Sequence, residues 1–141
     1  MAILCAVDGT QPHESVVSTA DDLARAYDDE LIVLHVMTKD RFESRGQDRT
    51  EYYVDDAARE AREMAREAAA DVLDSTDRVV ARGRVGDPTA EILEVADRVS
   101  ARYLVLGGRK RSPVGKALFG STTQSILLEA TTPVVTVMDE E

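Results

Sequence analysis

The segment 107–122 combines glycines, cations and hydroxyl groups in the order GGRKRSPVGKALFGST. Such a composition suits a loop that binds phosphate, because glycine lets a ligand approach the backbone N–H groups closely. The widespread phosphate-loop pattern consists of Gly, four residues and then Gly-Lys-Ser/Thr. It does not fit, since alignment on Gly115-Lys116 places Lys110 at the first glycine and Ala117 at the hydroxyl residue. If the segment binds phosphate, it must do so with another arrangement.

Charge is distributed unevenly along the chain, which has a formal net charge of −10. Between Asp97 and Glu129 there are six cations and no acid, so this segment carries +6 and the remainder −16. We therefore expect an anion to bind near it. The acidic remainder disfavours nucleic acid and acidic membranes as partners. It suits a salt-rich cytoplasm and ordinary acidic solubility equally well.

Short apolar runs alternate with amphipathic segments along the chain. The apolar runs predict five strands, at residues 2–7, 31–37, 78–85, 103–106 and 133–138. Three- and four-residue periodicity predicts four helices, at residues 12–28, 50–72, 88–99 and 121–130, whereas the charged, aperiodic segment 38–49 predicts a loop. The alternation predicts a single α/β domain over residues 1–141, with helices on both faces of an open five-stranded parallel sheet. We expect the strand order 3-2-1-4-5.

Two strand ends carry residues suited to a ligand. Asp8 follows the first strand and Gly107-Gly108 follows the fourth. In the expected order these ends are neighbours at the point where the strand order reverses, which is where open parallel sheets bind ligands. Gly120 would allow close approach at the start of the next helix, and Ser121 either contacts phosphate or caps that helix in a capping box with Gln124.

The remaining candidates favour structural roles. Cys5 is expected to be an inert core thiol, and His35, within an apolar strand, a hydrogen-bonded core histidine rather than a ligand. No metal-ligand cluster and no catalytic base with a partner is evident, so an enzyme is not favoured. The chain contains no apolar run as long as a membrane span, and we expect a cytoplasmic location.

The chain resembles a universal stress protein of the adenine-nucleotide-binding type in the order of its elements, in the apolar strand that ends at Asp8 and in the loop after the fourth strand. Its ATP-binding members carry Gly, two residues, Gly, nine residues and Gly-Ser/Thr; Gly107, Gly120 and Ser121 match, while Lys110 replaces the middle glycine. That lysine either fills the space beside the phosphates or contacts them. The resemblance implies ATP, with or without Mg²⁺, as the ligand. The implied nucleotide-binding residues are Asp8, Val36, Gly107, Gly108, Arg109, Lys110, Gly120, Ser121 and Thr122.

Three functions follow from this resemblance. The first is a regulatory or protective module that binds an adenine nucleotide. The second is an interaction module that has lost nucleotide binding through Lys110, and the third is a slow ATPase or self-phosphorylating protein with Ser121 or Thr122 as acceptor. The segment 133–138 predicts an apolar edge strand in which Pro133 can only stand at the beginning, so we expect it to pair with its own copy in a homodimer.

Overall fold

The computed structural model describes residues 1–8, 13–47, 51–108 and 120–138. In chain order the elements are β1 (Ala2–Ala6), α1 (Glu14–Tyr27), β2 (Glu30–Met37), α2 (Lys39–Gln47), α3 (Val54–Val72), β3 (Val79–Val85), α4 (Pro88–Arg98), β4 (Ala101–Gly108), α5 (Ser121–Glu129) and β5 (Val134–Met138). Within these residues no helix combines the length and apolar character needed to cross a bilayer.

The five strands form one parallel sheet in the order β3-β2-β1-β4-β5. The central strand β1 is buried along almost its whole length, and β2 is buried from Leu31 to Met37, as their continuous apolar runs predict. The edge strands β3 and β5 are half-buried, in keeping with the alternating pattern in β3. The predicted fold class and strand order are thereby confirmed.

Helices cover both faces of the sheet. The buried stripes of α1 and α3 pack with Ile3, Cys5 and Val33 on one face. On the other face α4 and α5 pack with Leu4, Leu34 and other alternate strand residues. Burial raises the pKa of Cys5 to about 12, so this thiol is an inert part of the core, as expected from the sequence.

The segment predicted as a loop contains a helix, α2, and that prediction is wrong. Phe42 is its only large apolar residue, so the sequence carries no apolar periodicity. Tertiary contacts hold the helix instead: Phe42 packs on the ring of Tyr52, and Arg45 forms a 2.8 Å ion pair with Glu60 of α3. The hydroxyl of Thr38 accepts the backbone N–H of Arg41 and caps the first turn.

Helix α3 lies so close to β3 that the backbones of the two elements are in contact at Gly83. A Cβ atom on Gly83 would overlap the carbonyl oxygen of Ala58 and the amide nitrogen of Arg62. The buried residues of α3 are all alanines, which leave the helix close to the sheet. Gly83 is also the β-ladder partner of His35, so this contact lies directly beside β2.

A polar cluster closes the amino-terminal end of the sheet. We call Tyr27, Asp29, Arg102 and Tyr103 the amino-end cluster. Asp29 is buried and accepts a 2.8 Å bond from Nε of Arg102, whose guanidinium lies 4.2 Å from the centroid of the Tyr27 ring. The hydroxyls of Tyr27 and Tyr103 are 3.3 Å apart. The four side chains are therefore paired with one another, and Asp29 also lies 3.7 Å from the amino terminus of Met1.

Candidate functional site

A cavity of about 400 Å³ opens at the carboxyl ends of β1, β2 and β4. This is the point at which the strand order reverses, with β1 between β2 and β4. The ends of these three strands form its floor, and its walls come from α2, α4 and the first turns of α1 and α5. Its volume is in the range of small-molecule sites.

Most of the residues predicted for a nucleotide site meet at this cavity. The lining includes six of the nine, namely Asp8, Val36, Gly107, Gly120, Ser121 and Thr122. Gly108 ends β4 as a buried residue and is not part of the lining. Arg109 and Lys110 lie outside the described residues, so their predicted contacts with an anion stay predictions.

The first turn of α5 differs from the predicted capping box, which is absent. Gly120, in an extended conformation, is the N-cap, and its carbonyl accepts the first helical bond from Gln124. Ser121 is therefore one residue inside the helix, exposed, and its hydroxyl does not cap the helix. The buried hydroxyl of Thr123 instead donates to the carbonyl of Gly107 at 3.1 Å, which joins the end of β4 to α5.

His35 is both a core residue and part of the cavity lining. The residue as a whole is 8% exposed, and Nδ1 lies 2.9 Å from the carbonyl oxygen of Val7. The expectation of a hydrogen-bonded core histidine is confirmed for this nitrogen. Burial lowers the pKa of His35, an effect larger than the opposing influences of Val7 and Asp8, so the ring is neutral at neutral pH.

Several cavity residues were not foreseen as site residues from the sequence. Thr38 and Arg41 reach the cavity because 39–47 folds as α2, and His13 reaches it as the N-cap of α1. The available signal was Thr38 followed by Asp40, which is typical of a helix N-terminus. This helix-start signal was not used, because the residues after it show no apolar periodicity.

The basic segment between Asp97 and Glu129 does not act as one unit. Arg98 pairs with Glu94 on α4 at 2.9 Å. Arg102 belongs to the amino-end cluster, at the opposite end of β4 from the cavity. Two of the six cations are thus paired with carboxylates away from the cavity, and the other four lie outside the described residues.

The described residues of the cavity include groups that can bind an anion. Backbone N–H groups at the start of α5 and the hydroxyl of Ser121 can donate to an anion. Asp8 is the one carboxylate among the described lining residues. Over the described ranges, no group of three or more His, Cys, Asp or Glu side chains is arranged to hold a metal ion.

Comparison with known proteins identifies the family. The sequence model of the universal stress protein family matches residues 1–138. A universal stress protein of Mycolicibacterium smegmatis is 49% identical over 51 residues, 36% of this chain and 39% of that protein. The stress response protein NhaX of Bacillus subtilis is 30% identical over 91 residues, 64% of this chain and 48% of that protein. The matches thus span less than half the length of these relatives.

Solved structures share the fold. A universal stress protein from Archaeoglobus fulgidus is 29% identical, with a TM-score of 0.59 over 96% of this chain and 97% of that one. The dAMP complex from the same organism has 24% identity and a TM-score of 0.56, with 96% of each chain covered. A universal stress protein in complex with cAMP has 23% identity and a TM-score of 0.59, over 98% and 96% of the two chains. The resemblance found in the sequence is confirmed at the level of family and fold.

Proposed function

Because the chain belongs to the universal stress protein family, we propose that it binds ATP or a related adenine nucleotide in this cavity. It acts as a regulatory or protective module in the cytoplasm, without a catalytic step. The observation that carries the proposal is the position of the cavity: it lies at the switch point of the sheet and includes the N-terminus of α5.

The geometry of α5 supports phosphate binding at its N-terminus. Gly120 presents no side chain at the N-cap, and the N–H groups of the first turn have no partners within the helix. The hydroxyl of Ser121 is exposed beside them. Together with the helix dipole these groups favour an anion, which is the role that the family motif implies for the phosphates.

The ligands of two related proteins support an adenine nucleotide in particular. One structural neighbour was solved with cAMP and another with dAMP. In our proposal the base lies near Val36 at the end of β2, and Asp8 accepts from the ribose. Mg²⁺ would arrive with the nucleotide, bound through its phosphates.

Calorimetry on nucleotide-free protein tests this function. We expect ATP binding that Gly120→Val weakens about tenfold or more, because a branched side chain would occupy the place of the phosphates. Gly46→Val is the matched control: Gly46 lies outside the cavity lining, and a Cβ there would meet only Tyr52, at 3.8 Å. No binding by the parent protein at millimolar ATP would favour the interaction-module alternative.

We also propose a homodimer joined through β5. Every residue of this edge strand is only half-buried, although the strand is almost wholly apolar. Leu128 of α5, the helix that precedes β5 in the chain, is 81% exposed. Pairing β5 with a second copy of itself across a two-fold axis would satisfy the open edge and close after two subunits.

The ladder register selects the substitution that tests the dimer. Leu104 is the ladder partner of Val134, and its backbone N–H donates to the carbonyl of Pro133. In a parallel ladder the backbone N–H of Val135 therefore points to β4, and the backbone N–H of Thr136 points to the open edge. Thr136→Pro should therefore shift sedimentation toward monomer without loss of folding, whereas Val135→Pro should disturb the sheet itself. A parent protein that is monomeric at micromolar concentration would contradict this proposal.

A further inference from the structure

The hydrogen bond of His35 fixes which ring nitrogen carries the proton. A carbonyl oxygen can only accept, so Nδ1, at 2.9 Å from the oxygen of Val7, must be the N–H in the neutral ring. Neutral imidazole has one proton, and Nε2 is therefore an unprotonated acceptor. The strand geometry thus selects one tautomer of His35.

The surroundings of Nε2 follow from the hydrogen bonds and the burial of the described residues. Within the described part of the chain this atom has no hydrogen-bond partner, and no fully buried side-chain nitrogen or oxygen there lacks one. Nε2 must therefore be accessible, although His35 as a whole is only 8% exposed. Since His35 is part of the cavity lining, we infer that the accessible surface of Nε2 opens into the cavity.

The surroundings of Nε2 favour a neutral donor as its ligand. The charged or titratable groups that act on His35 are Asp8 at the end of β1, His13 at the start of α1 and Arg41 on α2. Burial keeps the ring uncharged, so it does not serve as a cation for phosphate. A lone acceptor in a nearly buried position selects ligands by requiring a hydrogen-bond donor opposite it.

From this geometry we propose that Nε2 of His35 accepts a hydrogen bond from the nucleoside part of the ligand and helps to determine which nucleotides bind. The inference rests on the proposed function and adds a specificity-determining residue to it. The donor is either the exocyclic amine of adenine or a ribose hydroxyl. Both lie on the nucleoside, near β1 and β2, rather than on the phosphates beside α5.

A coupling experiment tests the contact. Calorimetry measures binding of ATP, 2′-deoxy-ATP, 3′-deoxy-ATP and purine riboside triphosphate, which lacks only the amine, to the parent and to His35→Phe. We expect about a tenfold loss of ATP affinity in the variant, and no loss for the one analogue that lacks the contacting donor. That analogue identifies the donor as the amine or as one of the hydroxyls.

The alternative outcomes separate this inference from the proposed function. Equal losses for all four nucleotides would mean that His35 acts only through the fold, and unchanged affinity would mean that it makes no contact; either result overturns the inference while ATP binding stands. A parent protein that binds none of the nucleotides overturns both.

If His35→Phe does not fold, nitrogen NMR of the unsubstituted protein tests the contact between Nε2 and the nucleotide. The chain has two histidines, and His13→Gln assigns the signals. We expect His35 to carry its proton on Nδ1, and ATP to shift the Nε2 resonance and lower the pKa of the ring, because the donor stabilises the neutral form. A proton on Nε2 in the complex, or signals unchanged at saturating ATP, would overturn the inference.

Discussion

The two ends of the same parallel sheet treat polar groups in opposite ways. At the amino-terminal end, Asp29 and Arg102 satisfy each other beside two tyrosines. At the carboxyl-terminal end, His35 and Ser121 line a cavity instead. Both ends are built from strand termini and adjoining helix ends, so position in the fold does not itself distinguish them.

The difference between the two ends distinguishes polar groups that stabilise the fold from polar groups that can bind a ligand. A polar group that is paired within the protein has little left to offer a ligand, whereas an unpaired one near a cavity is available for binding. We therefore expect substitutions in the amino-end cluster to change the free energy of unfolding. Substitutions of unpaired groups at the cavity should change nucleotide affinity instead.

The largest expected effect is from Arg102→Ala, which leaves the buried carboxylate of Asp29 without its principal partner. The variant should unfold at markedly lower denaturant concentration, because an unpaired buried charge is costly, while ATP affinity in the folded state stays unchanged. Arg98→Ala is the matched control: Arg98 is 65% exposed, and its loss should alter stability by no more than about 0.5 kcal/mol. Equal effects from the two arginines would contradict the distinction.

The same pair predicts an acid dependence of stability. The hydrogen bond and charge of Arg102 hold the pKa of Asp29 below its ordinary value despite burial. The stabilisation is therefore fully present above the unfolded-state pKa of about 3.9 and is lost as pH falls through the lower folded-state pKa. Melting curves from pH 7 to pH 2 should show the deficit of Asp29→Asn shrinking in that lower range. A deficit that vanishes already between pH 7 and pH 5 would refute this assignment.

The smallest effects should separate two neighbouring hydroxyls at the cavity. Ser121→Ala should weaken ATP binding about tenfold and leave melting unchanged, since the hydroxyl does not cap α5. Thr123→Val should lower stability by about 1 kcal/mol, because it removes the bond to Gly107. Calorimetry and thermal melting of both variants provide the comparison. A loss of stability in Ser121→Ala would show that its hydroxyl has a structural role after all.

The sequence was sufficient for the fold because its strongest signals are local. The apolar runs of β1 and β2, and the Asp87-Pro88 start of α4, predict their own structure. Helix α2 could not be predicted in this way, since Arg45 and its partner Glu60 are fifteen residues apart and meet only in the fold. A helix whose stability comes from such contacts leaves little trace in local periodicity.

The residues that line the cavity could be predicted where a residue type carries the information, and could not where three-dimensional geometry decides. The glycine spacing pointed to Gly107 and Gly120, which both line the cavity. The N-cap was misplaced by one residue, because the extended backbone conformation that precedes the helix is adopted by Gly120 and not by Ser121. Nδ1 of His35 has a hydrogen-bond partner and Nε2 has none among the described residues, a difference that depends on the position of Val7 directly after β1.

The contact between Gly83 and α3 has a consequence for how this chain can diverge. Since backbone meets backbone there and the buried residues of α3 are alanines, the distance from α3 to the sheet does not depend on the length of its outward side chains. The outward residues of α3 can therefore exchange charge during evolution without displacing β3 or its ladder partner His35. Surface acidity and cavity geometry become independently variable traits, so a lineage could adapt its surface to the salt content of its environment and retain the same ligand.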